Sequence, residues 1–285
     1  MAESILSELK SQYQYLTKVE KKIADLVFED PEKFTTYTTA KVAKLCDVSQ
    51  GSINNFARKF DERGFSFFKL EVARCVSYQY NLNKQEPKSQ PSGVLGAMER
   101  KIREDISALC NTLEINDEAT LARVIDKILE ANKIEVYGIF QSGIVAKNMA
   151  FKLVELGIPA AYQGDSLMFE VSSSMLSEKD LVIAISASGT TKDVYDAAEI
   201  AKKSGASVVA ITANKFSPLA KISDDVVLTT SGHGSNVDRT EKMRMSQLLI
   251  VDTLCYYIKQ IFKKNGRYTN DRLEKILSSR SISNN

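Results

Sequence analysis

The run Leu181-Val-Ile-Ala-Ile-Ser-Ala-Ser-Gly-Thr-Thr-Lys-Asp-Val194 carries the strongest site chemistry in this 285-residue sequence. Five apolar residues read as a buried strand. They lead straight into Ser186, Ser188, Gly189, Thr190 and Thr191, and a helical pattern begins at once. The first turn of a helix has unpaired backbone N–H groups and the positive end of the macrodipole. The hydroxyls of Ser186, Ser188 and Thr191 add donors at the same point, and Gly189 lets the backbone approach a ligand closely. Such an uncharged cradle suits a phosphate monoester at the C-terminal edge of a strand, where open α/β sheets bind ligands. A helix cap uses one hydroxyl; this turn offers four. A second run, Ile134-Glu-Val-Tyr-Gly-Ile-Phe-Gln-Ser-Gly143, sets Ser142 and Gly143 at another helix start. By itself, Ser142 serves equally as a cap or as a ligand contact. Neither run is a dinucleotide GxGxxG or a P-loop.

A second constellation lies in residues 38–60. Val42, Ala43, Cys46, Val48, Ile53 and Phe56 have the spacing of two helices crossing steeply over a short turn. Asp47 stands where such turns commonly have Gly, and Asp tolerates positive φ. Ser49 is a good N-cap for the second helix. Ile53, Phe56, Ala57 and Phe60 form its buried stripe. Its other face offers Gln50, Ser52, Asn54, Asn55, Arg58 and Lys59, with two basic residues and no acidic one between 49 and 60. Amides can read adenine, and Arg or Lys can reach guanine or phosphate. The expected DNA-binding set is therefore Ser49, Gln50, Ser52, Asn54, Asn55, Arg58 and Lys59. Gln50, Ser52 and Asn54 are expected on the groove floor, and the last three at the backbone. The alternative is a solvated polar face on an ordinary three-helix bundle.

The elements that position these residues fall into two sets. Composition shifts between Asn81 and Gly96: the run 81–93 holds Pro87, Pro91 and Gly93 and almost nothing apolar, which sustains neither a helix nor a core strand. The expected division is residues 1–80, a linker 81–97, and 98–285. Before the linker, Leu16, Val19, Ile23, Leu26 and Val27 mark one helix face. Thr17 and Glu20 fit a capping box, and Asp30-Pro31 breaks the pattern. After it, strands are expected at 134–140, 160–162, 181–185, 208–211 and 226–228. Helices are expected at 98–113, 118–131, 143–156, 167–175, 190–204 and 243–263. The expected fold is thus two domains: an all-α helix-turn-helix bundle, then an α/β three-layer domain with a mostly parallel sheet.

Composition narrows the function classes. With 38 Lys+Arg against 36 Asp+Glu the net charge is +2, so a nucleic-acid surface must be a local patch. At 44% hydrophobic and 26% charged residues the chain can bury a real core. No stretch of 18 apolar residues and no signal peptide is read, so a cytoplasmic protein away from the membrane is expected. Cys46, Cys75, Cys110 and Cys255 lack metal-site or disulfide-scaffold spacing, and His233 is the only histidine. No metal and no cofactor are expected.

Leu16-Thr17-Lys18-Val19-Glu20-Lys21-Lys22-Ile23-Ala24, Asp30-Pro31, Val48-Ser49, Phe56-Ala57-Arg58-Lys59-Phe60 and Arg63-Gly64-Phe65-Ser66-Phe67-Phe68-Lys69-Leu70 resemble the N-terminal domain of RpiR-type bacterial transcriptional regulators. The likeness covers residues 16–74. Asn54-Asn55 differs from the apolar residue and Arg common in that family. Residues 134–261 resemble the sugar isomerase (SIS) domain, most specifically in Ser186-Ala-Ser-Gly-Thr-Thr191. Ala201-Lys-Lys-Ser-Gly-Ala206, Ala210-Ile211-Thr212 and Ser217-Pro218-Leu219-Ala220 support it. The resemblance implies a phosphorylated sugar contacted by Ser142, Ser186, Ser188 and Thr191, with the backbone of Ala187, Ser188, Gly189 and Thr190. Phe140 replaces a family Gly, and its ring is expected to narrow the pocket or alter its specificity. Asp165-Ser166 is a further candidate for the sugar hydroxyls.

An SIS domain can isomerise or only sense. Isomerisation needs a general base beside the substrate carbon. Glu170 and Glu241 are the candidates by position, neither in a compelling motif, and His233 sits in a Gly/Ser loop. No catalytic residue is assigned. The expected function is a bacterial transcriptional regulator that binds double-stranded operator DNA under control of a phosphorylated sugar. The alternative is a sugar-phosphate isomerase with an accessory DNA-binding domain. Two half-sites require two reading helices, so a homodimer or homotetramer is expected. Residues 245–262, with Leu248, Leu249, Val251, Leu254, Tyr257, Ile258 and Ile261, offer a contact stripe or simple core packing.

Overall fold

Apolar spacing of three and four residues in the first eighty positions produces a succession of short helices. In the computed structural model the described residues are 5–82, 92–230, 236–267 and 278–279. They form two compact units. The first takes in Met1–Asp117 with Ala213–Phe216 and Leu228–Ser246, and the second Glu118–Thr212, Ser217–Val227 and Gln247–Asn285.

The first unit opens with α1 (Ile5–Gln12), α2 (Lys18–Glu29), α3 (Pro31–Thr35), α4 (Thr39–Cys46), α5 (Gln50–Phe60), α6 (Phe65–Leu82) and α7 (Gly93–Glu114). The start of α2 is the capping box expected from its sequence: Thr17 Oγ1 accepts from Glu20 N, and Glu20 reaches back to Thr17 N. Asp30 caps α3, with Pro31 at its first position. The apolar faces of α1 to α6 meet in one core that includes Leu9, Ile23, Val27, Phe34, Val42, Ile53, Phe56 and Phe68. Phe56 lies at its centre, with ring centroids 5.2 Å from Phe60 and 5.6 Å from Phe68.

The second unit follows with α8 (Glu118–Glu130), β1 (Ile134–Tyr137), α9 (Gln141–Glu155), β2 (Ala160–Tyr162), α10 (Ser166–Ser174) and β3 (Leu181–Ile185). It ends with α11 (Lys192–Lys203), β4 (Ser207–Thr212), α12 (Pro218–Ile222), β5 (Asp225–Leu228) and α13 (Asn236–Lys264), the last two shared with the first unit. The five strands are parallel in the order β2-β1-β3-β4-β5. Ile134 pairs with Leu181, and Leu181 with Ser207. Alternate residues of β3 serve two cores. Leu181, Ile183 and Ile185 pack on one face with Val145, Met149, Val251 and Leu254. Val182 and Ala184 pack on the other with Phe169, Val194 and Ala198. Burial on both faces is why these strands read as nearly unbroken apolar runs.

One expectation is corrected. The strand expected to run to residue 140 stops at Tyr137, and Phe140 further on adopts φ 56°, outside extended geometry. Of the two readings of the stripe within 245–262, contact surface or core packing, the structure favours the core. Ile250, Val251, Leu254, Ile258 and Phe262 are buried there, with Leu248 and Ile261 packed against them. Of that stripe, Tyr257 is left exposed. No helix among the described residues is long and apolar enough to cross a membrane.

Candidate functional site

β3 and β1 are hydrogen-bonded neighbours, with Tyr137 in register with Ala184. The residues that follow them therefore start from adjacent positions along one sheet edge. After β3, Ser186 is buried and its Oγ lies 3.0 Å from Thr191 Oγ1. Gly189 N donates to Ser186 Oγ at 3.1 Å. Thr190 donates to Ser188 Oγ from its N at 3.2 Å and from its Oγ1 at 2.8 Å. The turn thus gathers Ser186, Ser188, Gly189, Thr190 and Thr191 as the sequence suggests. Thr191 is the N-cap residue of α11, yet its side chain makes no capping bond. Its hydroxyl faces Ser186 instead, so helix capping does not account for the cluster.

Gly189 is required by geometry. Its φ is +64°, and a Cβ would collide with Ser217 Oγ and Cβ. Leu219 N donates to Gly189 O at 3.2 Å, and Thr212 Oγ1 donates to Ala187 O at 3.3 Å. Thr212 and Ser217 thus back the turn from behind. Sequence reasoning gave them no site role, although Ser217-Pro218 is a readable helix start.

After β1, Gly138 lies so close to α9 that a Cβ would sit 2.6 Å from Ser142 O. Ser142 is buried, and Gln247 Nε2 of α13 donates to its Oγ at 3.1 Å. Gln247, itself buried, fixes the orientation of the Ser142 hydroxyl and had no local signal. Phe140, at the end of the loop after β1, is 79% exposed. Its φ 56°, ψ −122° is a conformation that favours glycine. Phe140→Gly is expected to stabilise the chain by about 1 kcal/mol in urea unfolding, the relief of strain exceeding the added unfolded-state entropy.

The other candidates fall differently. Asp165 caps α10, its Oδ1 accepting from Leu167 N at 2.8 Å. Glu170 is exposed on α10. His233 and the side chain of Glu241 lie outside the described residues. Tyr137 is held by burial with its hydroxyl pushed up to about 12, bonded to Ser172 and Ser173. Burial likewise pushes the Cys255 thiol up to about 11. Among the described residues no group of three His, Cys, Asp or Glu side chains could hold a metal.

In the first unit, α4 and α5 meet across Asp47, which takes the left-handed conformation (φ 53°, ψ 57°) that its place in the turn demands. Ser49 caps α5, its Oγ accepting from Ser52 N at 3.0 Å and lying 2.9 Å from Ser52 Oγ. Gln50, Asn54, Asn55 and Arg58 are exposed, while Ile53, Phe56 and Ala57 are buried. An open groove beside the turn is lined by Ala43, Lys44, Asp47, Val48, Ser49 and Gln50. Lys59 is engaged within the protein: its Nζ lies 3.0 Å from Glu20 Oε1. Burial would raise the Glu20 carboxyl, but the Thr17 N–H and the Lys59 ammonium hold it below the ordinary carboxylate range.

This two-part architecture matches known proteins in both halves. Residues 3–79 match the helix-turn-helix domain of the rpiR family, and residues 127–255 match the SIS domain. The chain thus joins an rpiR-family helix-turn-helix domain to an SIS domain. It is 28% identical, over 98% of its length and 99% of the relative's, to an uncharacterised HTH-type transcriptional regulator of Caldanaerobacter subterraneus subsp. tengcongensis. It is 26% identical to the HTH-type transcriptional regulator HexR of Escherichia coli K12, over 88% of its own length and 86% of HexR. Its fold is similar to that of the Vibrio vulnificus NanR protein, solved in complex with ManNAc-6P. The TM-score is 0.61, with 22% identity over 98% of this chain and 100% of NanR. The sugar isomerase domain of an RpiR transcription factor from Sphaerobacter thermophilus gives a TM-score of 0.53, with 24% identity over 59% of this chain and 92% of that one.

Proposed function

We propose that this chain is a transcriptional regulator that binds operator DNA through α5 and senses a phosphorylated sugar at the turn from Ser186 to Thr191. The observation that carries the reading is the hydroxyl of Thr191. It stands at a helix N-terminus without capping it and joins Ser186 in an uncharged cluster of donors. Such a cluster is built for an oxyanion. The names of HexR and of the Caldanaerobacter relative, and the sugar phosphate bound by NanR, support it. Ser142 with the backbone of Ala187 to Thr190 completes the ligand set. The helices before residue 81 act as the reader and the sheet-bearing second unit as the sensor, in the cytoplasm. Sensing rather than isomerisation is favoured by the helix-turn-helix domain fused to the SIS domain and by the names of the relatives. The test is thermal melting with glucose 6-phosphate, fructose 6-phosphate and N-acetylmannosamine 6-phosphate beside the unphosphorylated sugars. A ligand bound only by the folded state raises the melting temperature. Equal shifts with and without the phosphate, or none, would refute the site.

On the DNA side, Arg58→Ala is expected to weaken binding on every sequence. It should also reduce the slope of log K against log salt by about one, as for one lost phosphate contact. Fluorescence anisotropy across a salt series checks this; a loss confined to one sequence would make Arg58 a base reader.

Two-fold operators call for two copies, and α7 supplies a face for the second. Val94, Met98, Ile102 and Ile106 recur every fourth residue and are all exposed, with Leu95 and Leu113 beside them. Ile102→Glu with Ile106→Glu is expected to convert the homodimer to monomer in analytical ultracentrifugation.

A further inference from the structure

The four residues Ala213–Phe216 belong to the first compact unit, although the chain enters them from Thr212 and leaves them into Ser217, both of the second. Those two flanking residues are the ones that back the ligand turn. Thr212 Oγ1 donates to Ala187 O, and Ser217 occupies the space a side chain at Gly189 would need. Both ends of this short segment therefore abut the turn.

Within the first unit the segment is gripped in two places. Gln12 of α1 is fully buried; its Nε2 donates to Ala213 O at 2.9 Å, and its Oε1 accepts from Lys215 N at 3.3 Å. Glu8, one helical turn earlier and also buried, pairs with the Lys215 ammonium. The second grip is on the DNA-facing helix itself. The Phe216 ring meets Phe60 edge-on with centroids 6.5 Å apart, and Lys59 Nζ lies 4.5 Å from the Phe216 centroid. Lys59 and Phe60 are the last two residues of α5. A buried amide bonded on both its oxygen and its nitrogen fixes the segment's backbone, so it moves as one piece rather than yielding.

We propose that Ala213–Phe216 is a strap that couples the ligand turn to α5. Occupation of the turn shifts Thr212 and Ser217. The strap transmits the shift to Gln12, Glu8, Phe60 and Lys59, and so resets the ammonium of Lys59 between Glu20 and DNA phosphate. The coupling is reciprocal: DNA changes ligand affinity by the same factor. This inference rests on the phosphosugar reading above.

The test uses the full-length chain, duplexes enriched by it from a random library, and the same three hexose phosphates. In the wild type, a probe that binds is expected to change DNA affinity by roughly 5–150-fold. In Gln12→Ala/Phe216→Ala, and separately in Glu8→Gln, that factor is expected to fall to about one, while each ligand alone binds as in the wild type. Since the chain has no tryptophan, Phe216→Trp adds a readout should the double variant not fold; its emission is expected to change when the sugar phosphate binds. Coupling retained in the variants, or unchanged Trp emission, overturns the strap. A probe that binds the wild type without altering its DNA affinity also overturns the strap but leaves the site standing. If no probe binds the wild type, the phosphosugar reading fails and the strap with it.

Discussion

Ser188→Ala combined with Thr191→Ala is expected to abolish the response to phosphorylated sugars while leaving DNA binding without ligand near normal. Each hydroxyl offered to a phosphate makes a charge-assisted hydrogen bond worth about 1.5–3 kcal/mol. Losing two weakens binding by roughly a hundred-fold or more. Stability should fall little, because neither residue is in the buried core and the Thr191 hydroxyl does not cap α11. Isothermal titration with the sugar phosphate that shifts wild-type melting gives the affinity, and anisotropy with duplex DNA gives the control. Wild-type affinity in the double variant would mean the anion sits elsewhere. The prediction separates the turn's two possible uses. A turn that served only to start a helix would lose stability and no ligand.

Phe56→Ala is expected to have the largest effect on the other side of the molecule. The ring is buried in the first unit's core between Phe60 and Phe68. Truncating such a residue costs about 3–5 kcal/mol, a large share of the 5–15 kcal/mol that typically holds a domain. The cavity also opens beneath the face that carries Asn55, Arg58 and Lys59, so DNA affinity should be lost together with the unit's thermal transition. Sugar-phosphate binding, built on a separate core, should persist. Calorimetry and DNA titration on the full chain test both halves. Unchanged DNA affinity would show that α5 does not depend on this core for its placement, against the packing described here.

Much of the fold was legible because the signals are local. The capping box of Thr17 and Glu20, the break at Asp30-Pro31 and the N-cap Ser49 each involve residues within three or four positions of one another. Parallel strands buried on both faces announce themselves as apolar runs, and their ends differed from expectation mainly where Phe140 turns the chain. The stripe of α13 was ambiguous for a physical reason. A helix face that packs in its own core and one that packs on a second copy have the same periodicity.

The sequence by itself determined the kinds of surface this protein presents: a hydroxyl-rich helix start and a polar, basic helix face, each set by neighbours along the chain. Only the tertiary structure decided what those side chains meet. Lys59 finds Glu20 across 39 residues, Ser142 finds Gln247 across 105, and Gln12 finds Ala213 across 201. Hydrogen bonds and ion pairs at such separations depend on how the cores close, and nothing in a local pattern of residue types encodes that.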